Sequence, residues 1–358
     1  MRVIITAGGT GGHIIPALAI ADKVMELDKT SEILYIGTHN RMEKDIVPKK
    51  GYRYEEIEIY GLSKRDLKTN LKNIGLIIKA KKRCLKLIKE FKPDVVVGVG
   101  GYVTFPVLRV AKKLGVKTFI HEQNSIPGKS NRILAYSVDK IGLSFADSIN
   151  YFDAKKCILT GNPCSESALD IKAIPKTKYG LSRKKKSILI VQGSLGSSIM
   201  NKKMLEFLMS THNEDYDVLY ITGKDYYEEF SKNKFSKNVK VVPYVDNLAA
   251  LMKDMDLIIS RAGASTISEI TALTIPNILI PSPYVANNHQ FYNALSIKEA
   301  GAGEMIEEAD LTSKLLKEKI NKILSDKNYN EKMVKNLKKI AIPNSSTIIY
   351  NVLKDLIK

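Results

Sequence analysis

Val3-Ile4-Ile5-Thr6-Ala7-Gly8-Gly9-Thr10-Gly11-Gly12-His13 is the stretch whose reading decides the fold. The apolar β-branched run reads as a strand. Four glycines among the five residues from Gly8 to Gly12 leave backbone N–H groups uncovered and free to turn toward an anion. The stretch from Ile14 to Val24 reads as a helix, with Pro16 tolerated in its first turn. Strand, glycine loop and helix N-terminus together make a seat for a phosphate or diphosphate. His13 sets a titratable imidazole beside it.

The same grammar recurs along the chain. Strands are expected at Val3–Thr6, Ile33–Ile36, Val95–Val99, Thr118–His121 and Lys140–Leu143. A second series is expected at Ile188–Val191, Val218–Thr222, Val239–Val242, Leu257–Ser260 and Asn277–Ile280. Runs such as Val95-Val96-Val97 are apolar on both faces, as buried parallel strands must be. Helical patterns lie between the strands, so each half reads as a doubly wound α/β sheet. The halves look like a distant repeat that breaks at Gly161-Asn162-Pro163. Ligands of such sheets bind at the carboxyl ends of strands, so two facing domains imply a cleft between them.

The bulk numbers agree. A chain of 358 residues exceeds one ordinary core, and 44% hydrophobic with 26% charged residues is the composition of a globular protein. The formal charge of +18 calls for an anionic partner: nucleic acid, acidic lipid or a phosphorylated substrate. Cys84, Cys157 and Cys164 form no disulfide framework and no CxxC, which fits a reducing compartment. No apolar run reaches spanning length and the first residues enter a strand without a leader pattern, so a cytosolic or peripheral membrane protein is expected.

Several loops carry candidate chemistry. Gly8–His13 is not a dinucleotide fingerprint, because its sixth position is Ile14 and the second strand ends Tyr35-Ile36-Gly37-Thr38 with no carboxylate for a ribose. Nor is it a P-loop, since no Gly-Lys-Ser/Thr follows. Gly98-Val99-Gly100-Gly101-Tyr102 repeats the strand-then-glycine logic. His121-Glu122-Gln123-Asn124 puts four polar residues at a strand end, where core placement is not expected apart from a satisfied core histidine; Glu122 and Asn124 are the favoured site groups. In the second half, Gly193-Ser194-Leu195-Gly196 admits a phosphate, to which Ser194 can donate. Arg261-Ala262-Gly263-Ala264 leads into a helix carrying Glu269, a dipole partner or an acceptor for ribose hydroxyls. Asn287-Asn288-His289-Gln290 offers amide and imidazole groups for a sugar. Asp254-Met255-Asp256 precedes its strand and is read as a strand start, not a metal site.

Between Lys64 and Lys92 stand eleven Lys or Arg against Asp66 and Glu90, a net +9 and half the excess of the chain. Leu71, Ile74, Ile78, Leu85 and Ile88 are expected to face the core, with Leu76 and Ile77 flanking them. An apolar tip ringed by cations suits an anionic bilayer surface. From Ser345 to Lys358 the pattern is an amphipathic helix with Ile348, Ile349, Val352, Leu353 and Ile357 on one side.

Taken in order, these motifs resemble the MurG family of murein glycosyltransferases. The likeness runs through Gly8–His13, Gly100-Gly101-Tyr102, His121–Asn124, Gly161-Asn162-Pro163, Arg261–Glu269 and His289-Gln290 with Asn293-Ala294, across nearly the whole chain. It implies the GT-B glycosyltransferase fold, two Rossmann-like α/β parallel-sheet domains facing across a cleft. Residues 1–161 would bind the acceptor and 162–341 the UDP-sugar, with helix 342–358 packing back on the first domain. The implied activity is transfer of N-acetylglucosamine from UDP-N-acetylglucosamine to lipid I at the cytoplasmic face of the anionic membrane, with no cofactor, no metal and no nucleic acid. By the same resemblance Ser194, Val245, Arg261, Ala264, Glu269, His289 and Gln290 would hold the donor. Thr10, Gly11, Gly12, Gly101, Tyr102 and Asn124 would hold the acceptor. Two positions depart from the family: its arginine two residues after Gly-Asn-Pro is Ser165 here, and the first glycine of its Gly-Gly-Ser is Gln192.

The expected chemistry is one in-line displacement with inversion. His13 is the expected base, its ordinary pKa lying near neutrality, and Glu122 the alternative. Loop N–H groups and helix N-termini stabilise the leaving UDP, so the step calls for no metal. Of the rival readings, a nicotinamide enzyme lacks its ribose carboxylate, a nucleic-acid binder lacks an aromatic platform, and a related transferase would differ in its acceptor loops.

Overall fold

The structure is a computed structural model that describes residues 1–61, 67–192, 198–212 and 214–358, with backbone alone for 67–74. The chain divides into two compact units: Met1–Cys164 with Asn344–Lys358, and Ser165–Pro343.

The first unit holds strands β1 (Arg2–Ala7), β2 (Glu32–Thr38), β3 (Arg53–Ile57), β4 (Val95–Gly100), β5 (Lys117–Glu122), β6 (Lys140–Leu143) and β7 (Cys157–Leu159). The second holds β8 (Lys186–Val191), β9 (Tyr216–Ile221), β10 (Val239–Val242), β11 (Leu257–Ser260), β12 (Asn277–Leu279) and β13 (Glu304–Met305). The orders are β3-β2-β1-β4-β5-β6-β7 and β10-β9-β8-β11-β12-β13. Apart from the seventh strand of the first sheet the two topologies are the same, and every pairing is parallel. In each sheet the order reverses beside the first strand, between β1 and β4 and between β8 and β11. In open α/β sheets ligands bind at the strand ends beside such a point.

The ten expected strands are all present. The three that were not expected, β3, β7 and β13, are edge strands. An edge strand is covered less completely and needs no continuous apolar run: β3 and β7 are mostly part-exposed, whereas all six residues of β4 are buried.

Side chains alternate across the first sheet. Ile4, Ile36 and Val96 point into one core, with the helices Leu67–Phe91, Thr104–Lys113 and Lys129–Leu134. Val3, Ile5, Tyr35 and Val97 point into the other, with the helix Gly11–Leu27 and the C-terminal helix Ser345–Ile357, whose Ile349 and Leu353 are fully buried. Hydroxyls of Ser345 and Ser346 fix the start of that last helix by donating to the carbonyls of Asn162 and Pro163 (2.6 and 2.9 Å).

Two local expectations are corrected. The first helix starts at Gly11, three residues early, because the glycines join its first turn; Pro16 therefore falls in the second turn. In Leu67–Phe91 the core stripe is Ala80, Cys84, Leu87, Ile88 and Phe91, with Ile77 beside it. Those positions keep the helical i, i+3, i+4 spacing, but two of them are small residues that an apolar count overlooks. Ile78 and Leu85 are turned outward, at 53% and 37% exposure. Leu71 and Ile74 lie among the residues whose side chains are not described.

Leu353→Ala removes a fully buried side chain where the C-terminal helix closes one core. It is expected to cost about 3 kcal/mol, read as a lower urea midpoint for the first unit; an unmoved midpoint would mean the helix does not close that core.

Candidate functional site

At the switch point of the first sheet, the loops after β1 and β4 are pressed together. The Gly8 N–H donates to Gly100 O (3.3 Å). A Cβ on Gly101, whose φ is +88°, would lie 2.4 Å from the Gly8 carbonyl oxygen, so only glycine fits there. On Gly100, at φ +121°, a Cβ would lie 2.6 Å from the His13 ring. His13 Nδ1 lies 3.2 Å from Gly8 O and 3.5 Å from Thr10 Oγ1. The carbonyl can only accept, so the imidazole donates from Nδ1; in the neutral form the lone pair is then on Nε2.

The helix Gly11–Leu27 begins without a cap. Thr10 makes no side-chain capping bond, and the first turn holds no acid. The N–H groups of Gly11 and Gly12 have no partner within the helix and sit at its positive end, a fit for an anion.

Neighbouring strands bring two further groups. Glu43, just past β2, is wholly buried and accepts from Thr38 N (3.1 Å), Thr38 Oγ1 (2.6 Å) and Gly9 N (3.3 Å). Nothing in its polar surroundings marks it in sequence. Strand order would have found it, because β2 adjoins β1 and its loop must meet Gly8–Gly9.

At the end of β5 the expectation that four polar residues avoid the core is corrected. His121, Glu122 and Gln123 are all buried. His121 is engaged by Gly161 O (2.9 Å) and Gln123 Nε2 (3.0 Å), and burial lowers its pKa to about 4, so it is neutral. Glu122 accepts from Asn124 N, Asn124 Nδ2, Gly128 N and Asn131 Nδ2, at 2.9–3.3 Å. Burial raises its pKa, and these four bonds oppose that shift. Both its oxygens are committed to tying the 122–131 loop. Of the four polar residues only Asn124 is part-exposed. Tyr102 packs against the core, and its hydroxyl is buried with no partner among the described residues.

In the second unit Gln192 follows β8, buried, with neither amide atom bonded among the described residues. Ser194 lies outside the described residues. After β11, Arg261 is buried and ion-paired with Glu308, and it donates to the carbonyls of Ile280 and Pro281 (3.3 Å each). The pair draws the loops after β11, β12 and β13 together. Sequence reading missed Glu308, which falls far from every motif.

The helix Ala264–Leu273, with Ala264 buried at its start, is again uncapped and without acid in its first turn; the Ser265 hydroxyl is buried with no partner among the described residues. Glu269, part-buried one turn on, has its carboxyl pushed up to about 7 by desolvation. Among the described residues it has no hydrogen-bond partner. Asn287 and Asn288 take the left-handed conformation (φ 54° and 50°) that sets up the helix His289–Glu299. His289 Nδ1 engages Ala286 O (2.8 Å), and burial lowers its pKa. Gln290 takes the Ser282 N–H on its amide oxygen (2.9 Å), which leaves its Nε2 donors. Val245 is buried beside the exposed Tyr244, whose ring lies under the Lys224 ammonium (5.1 Å). Ser165 Oγ donates to Ile342 O (2.8 Å). Asp254 and Asp256 are engaged by Lys176 N (2.8 Å) and by Lys186 and Ser187.

Residues 3–143 match the N-terminal domain of glycosyltransferase family 28, and 187–346 match its C-terminal domain. The chain is 39% identical over 362 residues to a protein of Pediococcus pentosaceus and 40% identical over 363 residues to one of Bacillus cytotoxicus, covering all of both partners. Both carry the name UDP-N-acetylglucosamine--N-acetylmuramyl-(pentapeptide) pyrophosphoryl-undecaprenol N-acetylglucosamine transferase. The crystal structure of Acinetobacter baumannii MurG superimposes with a TM-score of 0.81 at 25% identity, over 99% of each chain. A Neisseria meningitidis UDP-GlcNAc 2-epimerase superimposes with a TM-score of 0.69 at 18% identity, over 99% of this chain and 100% of that one, a likeness of fold.

The raised Glu269 carboxyl has a sign. Between its unfolded value of 4.5 and about 7 the folded chain holds the extra proton, so this group's contribution to stability falls as pH rises through that window. Glu269→Gln is therefore expected to raise the melting temperature at pH 8 relative to the parent by more than at pH 4. An equal shift at both would contradict the burial argument.

Proposed function

Since the chain belongs to the MurG family within glycosyltransferase family 28, we infer that it transfers N-acetylglucosamine from UDP-N-acetylglucosamine to lipid I, forming lipid II in peptidoglycan synthesis. One observation supports the assignment of its two substrates to two sites. Each sheet presents an uncapped helix N-terminus at its switch point, Gly11–Leu27 after β1 and Ala264–Leu273 after β11. Donor and acceptor each carry a diphosphate, and each of these ends is a place for one.

On this reading Thr10, Gly11, Gly12 and Gly101 seat the acceptor diphosphate, with Tyr102 and Asn124 beside it. Ser194, Ala264 and the helix that Ala264 opens hold the donor diphosphate. Val245 lies against the uracil, Glu269 takes the ribose hydroxyls, and His289 and the Gln290 Nε2 take the sugar hydroxyls. Arg261 acts through its bond to Glu308, keeping these loops in place.

His13 Nε2 takes the proton from the muramyl 4-hydroxyl. The freed oxygen pair attacks the anomeric carbon, the bond to the diphosphate oxygen breaks, and UDP leaves with that bonding pair. Configuration inverts, giving a β-linked sugar. Backbone N–H groups and helix ends neutralise charge on the leaving group. We favour His13 over Glu122 as base because Glu122 is enclosed by four donors.

Lipid I is a membrane lipid, and we place the enzyme peripherally at the cytoplasmic face. Among the described residues no helix is long and apolar enough to cross a membrane. One helical layer of the first unit supports the placement. Ile78 and Leu85 stand exposed among Lys79, Lys81, Lys82, Arg83 and Lys86. In the same layer Ile133 and Tyr136 are exposed at 55% and 90%, with Arg132 over the Tyr151 ring and the Lys156 ammonium on Tyr136 O. Apolar tips among cations suit an anionic headgroup layer.

His13→Ala is expected to lower turnover by about 10²-fold or more, with the donor KM little changed, in transfer of labelled N-acetylglucosamine to lipid I in detergent. Activity is expected to persist in EDTA. Full turnover without His13 would remove it as base. Separately, Ile78→Ser with Tyr136→Ser is expected to reduce co-sedimentation with phosphatidylglycerol vesicles several-fold while sparing turnover in detergent; undiminished sedimentation would exclude this face.

A further inference from the structure

We propose that Glu43 is a positioning residue for His13, acting through the single peptide unit Gly8–Gly9 hydrogen-bonded between them. The N–H of that unit, on Gly9, donates to Glu43 Oε2 at 3.3 Å, and its C=O, on Gly8, lies 3.2 Å from His13 Nδ1. A donor and an acceptor of one conjugated amide polarise together: a carboxylate drawing on the N–H makes the carbonyl a stronger acceptor. Glu43 thus reaches the imidazole without touching it. It holds the proton on Nδ1 and stabilises the imidazolium that forms when Nε2 takes a proton, as a second group orients and supports a base elsewhere.

The surroundings fix this relay. Glu43 Oε1 is held by Thr38 N and Thr38 Oγ1 (3.1 and 2.6 Å), which aims Oε2 at Gly9. A Cβ on Gly8 would lie 2.5 Å from Glu43 Oε1, so the loop meets the carboxylate only because residue 8 has no side chain. Tyr54 OH donates to Thr38 O (2.5 Å) and Tyr35 OH to Ala7 O (3.1 Å), bracing both sides. Burial and the charge of Glu43 hold both phenols above their ordinary pKa, so they remain donors. Among the described residues, the other charged groups near the relay are these. Asp45 and Glu56 act on Tyr54, and Lys44 pairs with Glu56 (3.0 Å). β1 brings Arg2 at its far end and β4 no titratable group. The C-terminal helix packed on the His13 helix brings Tyr350, Lys354 and Asp355, with Lys358 bonded to Asp355 (2.8 Å).

The proposal rests on His13 being the base, and the test separates the two. In Glu43→Gln, kcat is expected to fall about tenfold or more with the donor KM within about twofold. The acid limb of the kcat–pH profile is expected to move down by about half a unit or more, because the imidazolium loses its remote counter-charge. A structural role alone would lower kcat without moving the limb. An unmoved limb, with His13→Ala inactive, overturns the relay and keeps the base; an active His13→Ala overturns both. Nitrogen-15 NMR of the unaltered protein gives a reading that needs no variant. Neutral His13 is expected in the Nδ1–H form, the minor tautomer of free imidazole side chains, and the Nε2–H form would overturn the proposal.

Discussion

Crowding around the Gly8–Gly9 peptide is the constraint on which the first unit's site depends. Gly101 abuts the Gly8 carbonyl, Glu43 stands where a Gly8 side chain would, and the His13 ring covers Gly100. Each contact requires that one neighbour lack a Cβ. The glycines therefore act less as flexible joints than as space left for three other groups: an imidazole, a carboxylate and an adjacent loop. Of the loop amides, Gly8 N–H is committed to Gly100 and Gly9 N–H to Glu43, so neither is free to turn toward an anion.

The second unit reaches a similar end by other means. Its sheet has the same order about β8, and the helix after β11 is uncapped in the same way. The ordering groups there are a buried Arg261–Glu308 pair and the Asn293 amide donating to Ala262 O (3.2 Å). A buried ion pair is weak support for stability, since desolvating both charges offsets much of their attraction. Its contribution is geometric: the planar guanidinium reaches two carbonyls and a carboxylate at once, which fixes three loops relative to one another.

Central strands were legible because burial on both faces forces a continuous apolar run, as in Val95-Val96-Val97; edge strands such as Arg53–Ile57 carry no such demand. Glycine loops were legible because their composition has few other uses. Buried polar residues were not. His121, Glu122 and Gln123 look like a surface segment, yet they bond one another and the loop backbone, and only the fold supplies those partners. Glu43 was hidden for the same reason. The helix Leu67–Phe91 misled through composition: its core contacts use Ala80 and Cys84, while two larger side chains, Ile78 and Leu85, are exposed. Hydrophobicity there marks an outer surface, and the apolar tips stand among the lysines instead of beneath them.

The return of the last helix to the first unit bears on how the chain is built. All of Ser165–Pro343 is synthesised before Asn344–Lys358 can cover Val3, Ala17, Ile20 and their neighbours. During that interval one side of the first sheet and its leading helix have no lid. The nascent N-terminal half therefore keeps apolar surface exposed while the second unit is being synthesised. The order of translation thus leaves the covering of that side to Asn344–Lys358, which emerge only after the whole second unit.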